Sequence, residues 1–128
     1  MSRIVLDATA LLAALNGEPG ADKLTLELLS TAVISTVNLA EVQTKLVNRG
    51  LSPDSAWAAA VVPVERAIPF TSEQAKAAGS MVAKTRAWGL SLGDRACLAL
   101  GLALQAPVYT ADRSWKNLKL GVPIHVIR

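Results

Sequence analysis

The sequence predicts an α/β fold built on a mostly parallel sheet, and three observations carry that reading. Short apolar runs alternate with stretches of helical spacing along the whole chain, the pattern of strand–helix–strand units. The first run, Ile4-Val5-Leu6, is apolar at every position, as a strand covered on both faces should be. The 128 residues are 52% apolar and show no internal repeat or linker, so they make one domain, 1–128, with a core large enough to fold unaided.

Taken in order, Ile4–Leu6 is a buried strand ended by Asp7, and Ala8–Asn16 is an Ala- and Leu-rich helix closed by Gly17. Ala21–Leu29 is a second helical piece, and Ala32–Ser35, with Val33 and Ile34, is a strand. Val37–Asn48 sets Leu39, Val42, Leu46 and Val47 at helical spacing, with Gly50 as its stop. Ser52-Pro53, a cap residue followed by proline at the first helical position, opens a helix through Val61. Val64–Phe70 reads as a strand with a proline near its end, and Thr71-Ser72-Glu73 opens a helix to about Ala87. Ser91–Leu104 is a helix closed before Pro107, Val108–Thr110 a strand, Asp112–Leu118 a short helix and Ile124–Ile127 a last strand.

Composition narrows the function classes. With 18% charged residues the chain is not intrinsically disordered. A mean hydropathy of +0.36 raises the membrane question. However, the longest uncharged stretch, Ala96 to Ala111, contains Gln105 and Pro107 and falls short of the roughly 20 apolar residues of a spanning helix. Asp7 stands where a secretory leader needs its apolar run. The single cysteine, Cys97, suits a reducing compartment, and a cytoplasmic protein without membrane association is expected. A net charge of +3 permits a nucleic-acid partner.

In open α/β sheets, ligands bind at the carboxyl ends of the strands. Four acids fall there. Asp7 ends the first strand, Glu41 lies on the second turn of the helix after Ala32–Ser35, Asp94 is in the first turn of the helix from Ser91, and Asp112 follows Val108–Thr110 by two. Each has a local alternative. Asp7 and Asp112 can cap the helices after them, Ser91 and Asp94 fit a capping box, and Glu41 has Lys45 four residues on. Together, four carboxylates at one end of one sheet would repel one another without a cation among them, and hard oxygen donors suit Mg²⁺ or Mn²⁺. Such ions activate water and stabilise phosphoryl charge, which points to phosphodiester hydrolysis. Thr9, Asn38 and Thr110 are small polar neighbours able to orient ligands or a metal-bound water, or else local caps. Arg95, Arg113 and Lys116 are candidates to hold a nucleic-acid backbone.

The segments Ile4–Leu12, Ile34–Val42, Leu90–Leu100 and Val108–Trp115 together resemble the PIN-domain ribonucleases, and within them the VapC-like toxins of bacterial toxin–antitoxin pairs. All four stand in order and at the usual spacing, while Gly50–Ala87 matches only in general pattern. The resemblance implies a three-layer sandwich with a parallel sheet of four or five strands and helices on both faces. It implies a Mg²⁺-dependent endoribonuclease, with Mn²⁺ as a possible substitute, whose acidic metal site is Asp7, Glu41, Asp94 and Asp112. It also implies transfer or ribosomal RNA as substrate, a homodimer, and neutralisation by a cognate antitoxin.

Other readings are open at this point. A receiver-type phosphoacceptor domain fits the length and the acid after the first strand, but Asp7 has no acidic neighbour and no lysine directly follows Val108–Thr110. A phosphatase of the D-x-D-x-T kind would need a second aspartate that Asp7-Ala8-Thr9 lacks. His125 and Cys97 read as structural, and Trp57, Trp88 and Trp115 are not spaced as a stacking platform. Leu11, Leu12, Leu15, Leu24 and Leu28 are either core or a groove for an antitoxin helix.

Overall fold

The structure is a computed structural model and describes residues 2–128. Its elements are β1 (Ile4–Leu6), α1 (Ala8–Asn16), α2 (Leu26–Leu29), β2 (Ala32–Ser35), α3 (Thr36–Asn48), α4 (Pro53–Val61), β3 (Arg66–Ile68), α5 (Ser72–Ser80), α6 (Val82–Thr85), α7 (Leu92–Leu104), β4 (Val108–Thr110) and β5 (Ile124–Val126), with 3-10 turns at Ala21–Lys23, Arg86–Trp88 and Arg113–Trp115. The five strands form one parallel sheet in the order β3-β2-β1-β4-β5.

That order fixes where helices and site lie. The chain steps outward from β1 to β2 to β3, then returns across β1 to add β4 and β5. Right-handed crossovers place helices on one face while the sheet grows one way and on the other face after the reversal. Accordingly, Ile4, Leu6 and Ile34 pack under α1, α3 and α4 through Leu11, Leu39, Val42 and Ala56. Val5, Val33 and Val108 pack on the opposite face against Ala78 of α5, Cys97 and Leu98 of α7, and Trp115. The alternation within Ile4-Val5-Leu6 therefore feeds two cores, which is why every position in that strand is apolar. The reversal falls between β1 and β4, so their carboxyl ends flank the crevice where a ligand site is expected.

The caps follow the sequence closely. Ser52 caps α4 with Pro53 at its first position, Gly17 closes α1 in the left-handed region, and Ser91 caps α7. Other boundaries differ. The piece read as Ala21–Leu29 breaks at Leu24, which turns into the core, and Thr25 then caps a new short helix by accepting from Leu28 N. The helix read from Thr71 to about Ala87 breaks after Gly79-Ser80, where Met81 is buried; α6 and a 3-10 turn complete the span. The strand read as Val64–Phe70 pairs only over Arg66–Ile68, since Pro69 has no N–H and the Phe70 N–H donates to Thr36 Oγ1 instead. Asp112–Leu118 is a single 3-10 turn, and the last strand stops at Val126.

Leu11, Leu12 and Leu24 are buried, and Leu15 and Leu28 pack half-buried against the same core, so this set is core and not a groove. Leu26 is the exposed leucine of that region, at 88%. Trp115 and Cys97 are fully buried. Among the described residues no helix is long and apolar enough to cross a membrane.

Candidate active site

Asp7 is the centre of the site. It leaves β1 at its carboxyl end and caps α1, accepting from Ala10 N at 2.8 Å. Thr9 Oγ1 donates to its Oδ1 at 2.7 Å, and Thr110 Oγ1, from the end of β4, donates to its Oδ2 at 2.5 Å. The two hydroxyls also accept in turn: Thr9 from Ala111 N and Thr110 from Asp112 N. This ring of short bonds ties the start of α1 to the end of β4. It accounts for small hydroxyl residues at both positions, since a larger side chain would displace one strand end from the other.

Asp7 is only 3% exposed and has no cationic side chain beside it; among the described residues the single ion pair is Arg128–Glu18. Burial pushes its carboxyl from 3.8 up to about 6, against the hydrogen bonds from Thr110, Ala10 and Thr9 that lower it, and the charge of Asp94 adds to the rise. Beneath the site, burial raises the Cys97 thiol well above its ordinary range, with Asp7, Asp94 and Glu41 adding to it. Asp94 itself lies in the first turn of α7.

Glu41 reaches that place from α3. Asn38, one turn earlier and buried, donates through Nδ2 both to Glu41 Oε1 at 2.8 Å and to Gly93 O at 2.9 Å. Gly93 makes the approach possible, because a Cβ there would lie 2.5 Å from Glu41 Oε1. Sequence reasoning missed Gly93, although a glycine in the first turn of a helix, where alanine would be favoured by about 1 kcal/mol, is itself a signal of close packing. Asp94 and Ser91 form the capping box, with Ser91 N donating to Asp94 Oδ2 at 3.0 Å. Asp112 Oδ1 caps its 3-10 turn through Ser114 N and Oγ. Glu41 makes no ion pair with Lys45.

The local caps at Asp7, Asp94 and Asp112 are thus real. They hold one oxygen of Asp94 and of Asp112, as Asn38 holds one of Glu41, and so aim the carboxylates. Among the described residues no three acidic, histidine or cysteine side chains crowd round one point as a closed metal cage. The donor set nonetheless fits a hard divalent cation. A buried, unneutralised Asp7 beside a second carboxylate gains most from positive charge, and Mg²⁺ is typically held by one or two carboxylates with water and phosphate completing its shell. Of the three cations named above, Arg95 is committed to packing α5 on α7, with Nη1 donating to Ala78 O at 2.9 Å. Arg113 and Lys116 are exposed on and beside the turn that Asp112 caps.

The family model of the PIN domain matches residues 4–120. Three solved structures share the fold: VapBC2 from Rickettsia felis bound to a promoter DNA fragment (20% identity, 98% of each chain, TM-score 0.74), a DNA-bound VapBC from Salmonella typhimurium (17% identity, 100% of each chain, TM-score 0.76), and VapC20 from Mycobacterium tuberculosis, described as a sarcin-ricin loop cleaving toxin (20% identity, 94% of this chain and 98% of that one, TM-score 0.74). Comparison with curated proteins gives no match.

Proposed function

The chain belongs to the PIN domain family, and from that premise we propose that it is a metal-dependent endoribonuclease, the toxin of a toxin–antitoxin pair. The observation that carries the chemistry is Asp7: a buried carboxylate without a cationic side-chain partner, at the strand-order reversal, with Asp94 close enough to raise its pKa. Maintaining such a group is costly, and it is explained by a cation that enters with the substrate. Asp7, Glu41, Asp94 and Asp112 would hold Mg²⁺, which Mn²⁺ can replace. The ion, when bound, supplies Lewis-acid stabilisation of phosphoryl charge and a more acidic water.

The chain's own residues do the rest. Thr9 and Thr110 orient both oxygens of Asp7. Asn38 fixes Glu41 against α7, and the Ser91 cap fixes Asp94. Arg113 and Lys116, beside Asp112, hold the RNA backbone. Transfer or ribosomal RNA is the proposed substrate, and the setting is the cytoplasm, as one domain that pairs into a homodimer and is neutralised by a cognate antitoxin. Support for the partner comes from the shared fold with VapBC complexes. A receiver-type domain is disfavoured, because that fold has strand order 2-1-3-4-5 and here it is 3-2-1-4-5.

The test is induction of the chain without its antitoxin, followed by mapping of RNA 5′ ends, alongside cleavage of purified RNA with Mg²⁺ or EDTA. Growth arrest with discrete new ends, abolished in Asp7→Asn and Asp112→Asn at equal expression, is expected. Equal toxicity of those variants would remove the acids from the reaction.

A further inference from the structure

A cavity of about 640 Å³ opens at the β4–β5 side of the sheet. Its lining combines an aromatic pair, Tyr109 and His125, with Lys23, Arg113, Lys116 and Arg128. Tyr109 and His125 face each other from in-register positions on β4 and β5, ring centroids 4.6 Å apart and planes 21° from parallel. β5 is the edge strand, so no further strand covers the other side of the exposed imidazole. Of the four cations, only Arg128 has a carboxylate within reach, Glu18 at 3.5 Å, among the described residues. Arg113 is anchored by Nε donating to Arg128 O at 3.2 Å. Gly20 lets the loop that carries Lys23 lie against β5, since a Cβ there would sit 2.5 Å from Ile127 O at a φ of +96°.

A flat aromatic surface ringed by surplus positive charge takes a planar, anionic ligand. Nucleotides have both properties, and unpaired bases stack on aromatic side chains where duplex bases are already stacked on one another. An acidic peptide would use the cations and leave the aromatic pair idle. The cavity also adjoins the acids along the backbone: Tyr109 precedes Thr110, and Arg113 follows Asp112.

We propose that this cavity docks an unpaired nucleotide of the RNA substrate, its base stacked on the His125–Tyr109 pair and its phosphates held by Lys23, Arg113, Lys116 and Arg128. The proposal rests on the ribonuclease reading and adds a preference for single-stranded RNA next to the cut. The experiment measures fluorescence anisotropy of a labelled single-stranded 12-nucleotide RNA in EDTA, in an Asp7→Asn background, at several salt concentrations. His125→Ala is expected to weaken binding about tenfold, and His125→Phe to restore it. Lys23→Ala with Lys116→Ala should flatten the salt dependence by about 1.4 in log–log slope. An abasic oligonucleotide should lose the His125 effect.

Unchanged affinity in His125→Ala, or equal binding of the abasic strand, would overturn the stacking site, as would displacement of the RNA by polyglutamate of equal length. If the natural protein fails to cleave RNA while His125-dependent binding persists, the nucleotide site stands and the ribonuclease reading falls. If it cleaves RNA and all pocket variants bind and cleave as the natural protein does, the site falls and the ribonuclease reading stands.

Discussion

At Asp7, burial raises the carboxyl from 3.8 to about 6, which makes the ionised form a cost to the native state. The folded chain holds that proton more tightly than the unfolded one, so stability declines as pH climbs from about 4 to about 6, and the loss is complete above that window. A shift of this size corresponds to at most about 3 kcal/mol. Asparagine keeps the cap to Ala10 and can still pair with Thr110. In EDTA at pH 7.5, Asp7→Asn should therefore melt several degrees above the natural protein, and the gap should narrow toward pH 4.5. Thermal melting at the two pH values checks this, and equal melting temperatures at both would mean the carboxylate carries no native-state penalty. Gly93 makes a complementary case. Gly93→Ala favours the helix but places a methyl against the Glu41 carboxylate, whose end is exposed and can swing away. Its melting temperature should change little, while RNA cleavage falls at least tenfold. Cleavage at the natural rate would show that Glu41 need not lie against α7.

Among the elements, α2 shows how burial separates two neighbouring leucines. Leu24 is 5% exposed in the core that α1, α3 and α4 share, while Leu26 stands in solvent. Leu24→Asp buries a charge with no partner and should abolish cooperative melting; Leu26→Asp should melt within a degree or two of the natural protein. Circular dichroism on both variants decides. The sequence could not separate them, because both sit in one apolar stretch and the break that distinguishes them is made by Thr25 and by the core that draws in Leu24. The same applies at Met81, where a continuous helical pattern bends because the buried side chain sets the chain's direction. Strands such as Ile4–Leu6 and the Ala32–Ile34 part of β2 were legible because burial on both faces leaves an unbroken apolar run. Asp7, Asp94 and Asp112 stand out as candidates in the sequence because each lies at a strand end or helix start, and Glu41 because it lies on the second turn of the helix after Ala32–Ser35. The Tyr109–His125 pair was not legible, since it depends on the register of two strands sixteen residues apart, and local pattern carries no information about register.

For the whole molecule, stability should follow metal. A cation that binds only the folded chain adds RT ln(1 + [L]/Kd), about 2.7 kcal/mol at a hundredfold excess. Millimolar Mn²⁺ should raise the melting temperature of the natural protein by several degrees and that of Asp7→Asn far less. Equal shifts in the two would place the cation elsewhere. The strand order has a further effect, on the chain as it is made. β1 emerges early but is central, and one of its two neighbours, β4, begins about a hundred residues later. Synthesis proceeds from the amino end at roughly 5–20 residues per second. For several seconds, then, a nascent chain can pair β1 with β2, and β2 with β3, while the other edge of β1 stays open. Thr110 and Asp112, which complete the setting of Asp7, arrive only after that. The hydrogen-bond ring around Asp7 is therefore incomplete on any unfinished chain, and the acids come together only after the last strands have been made.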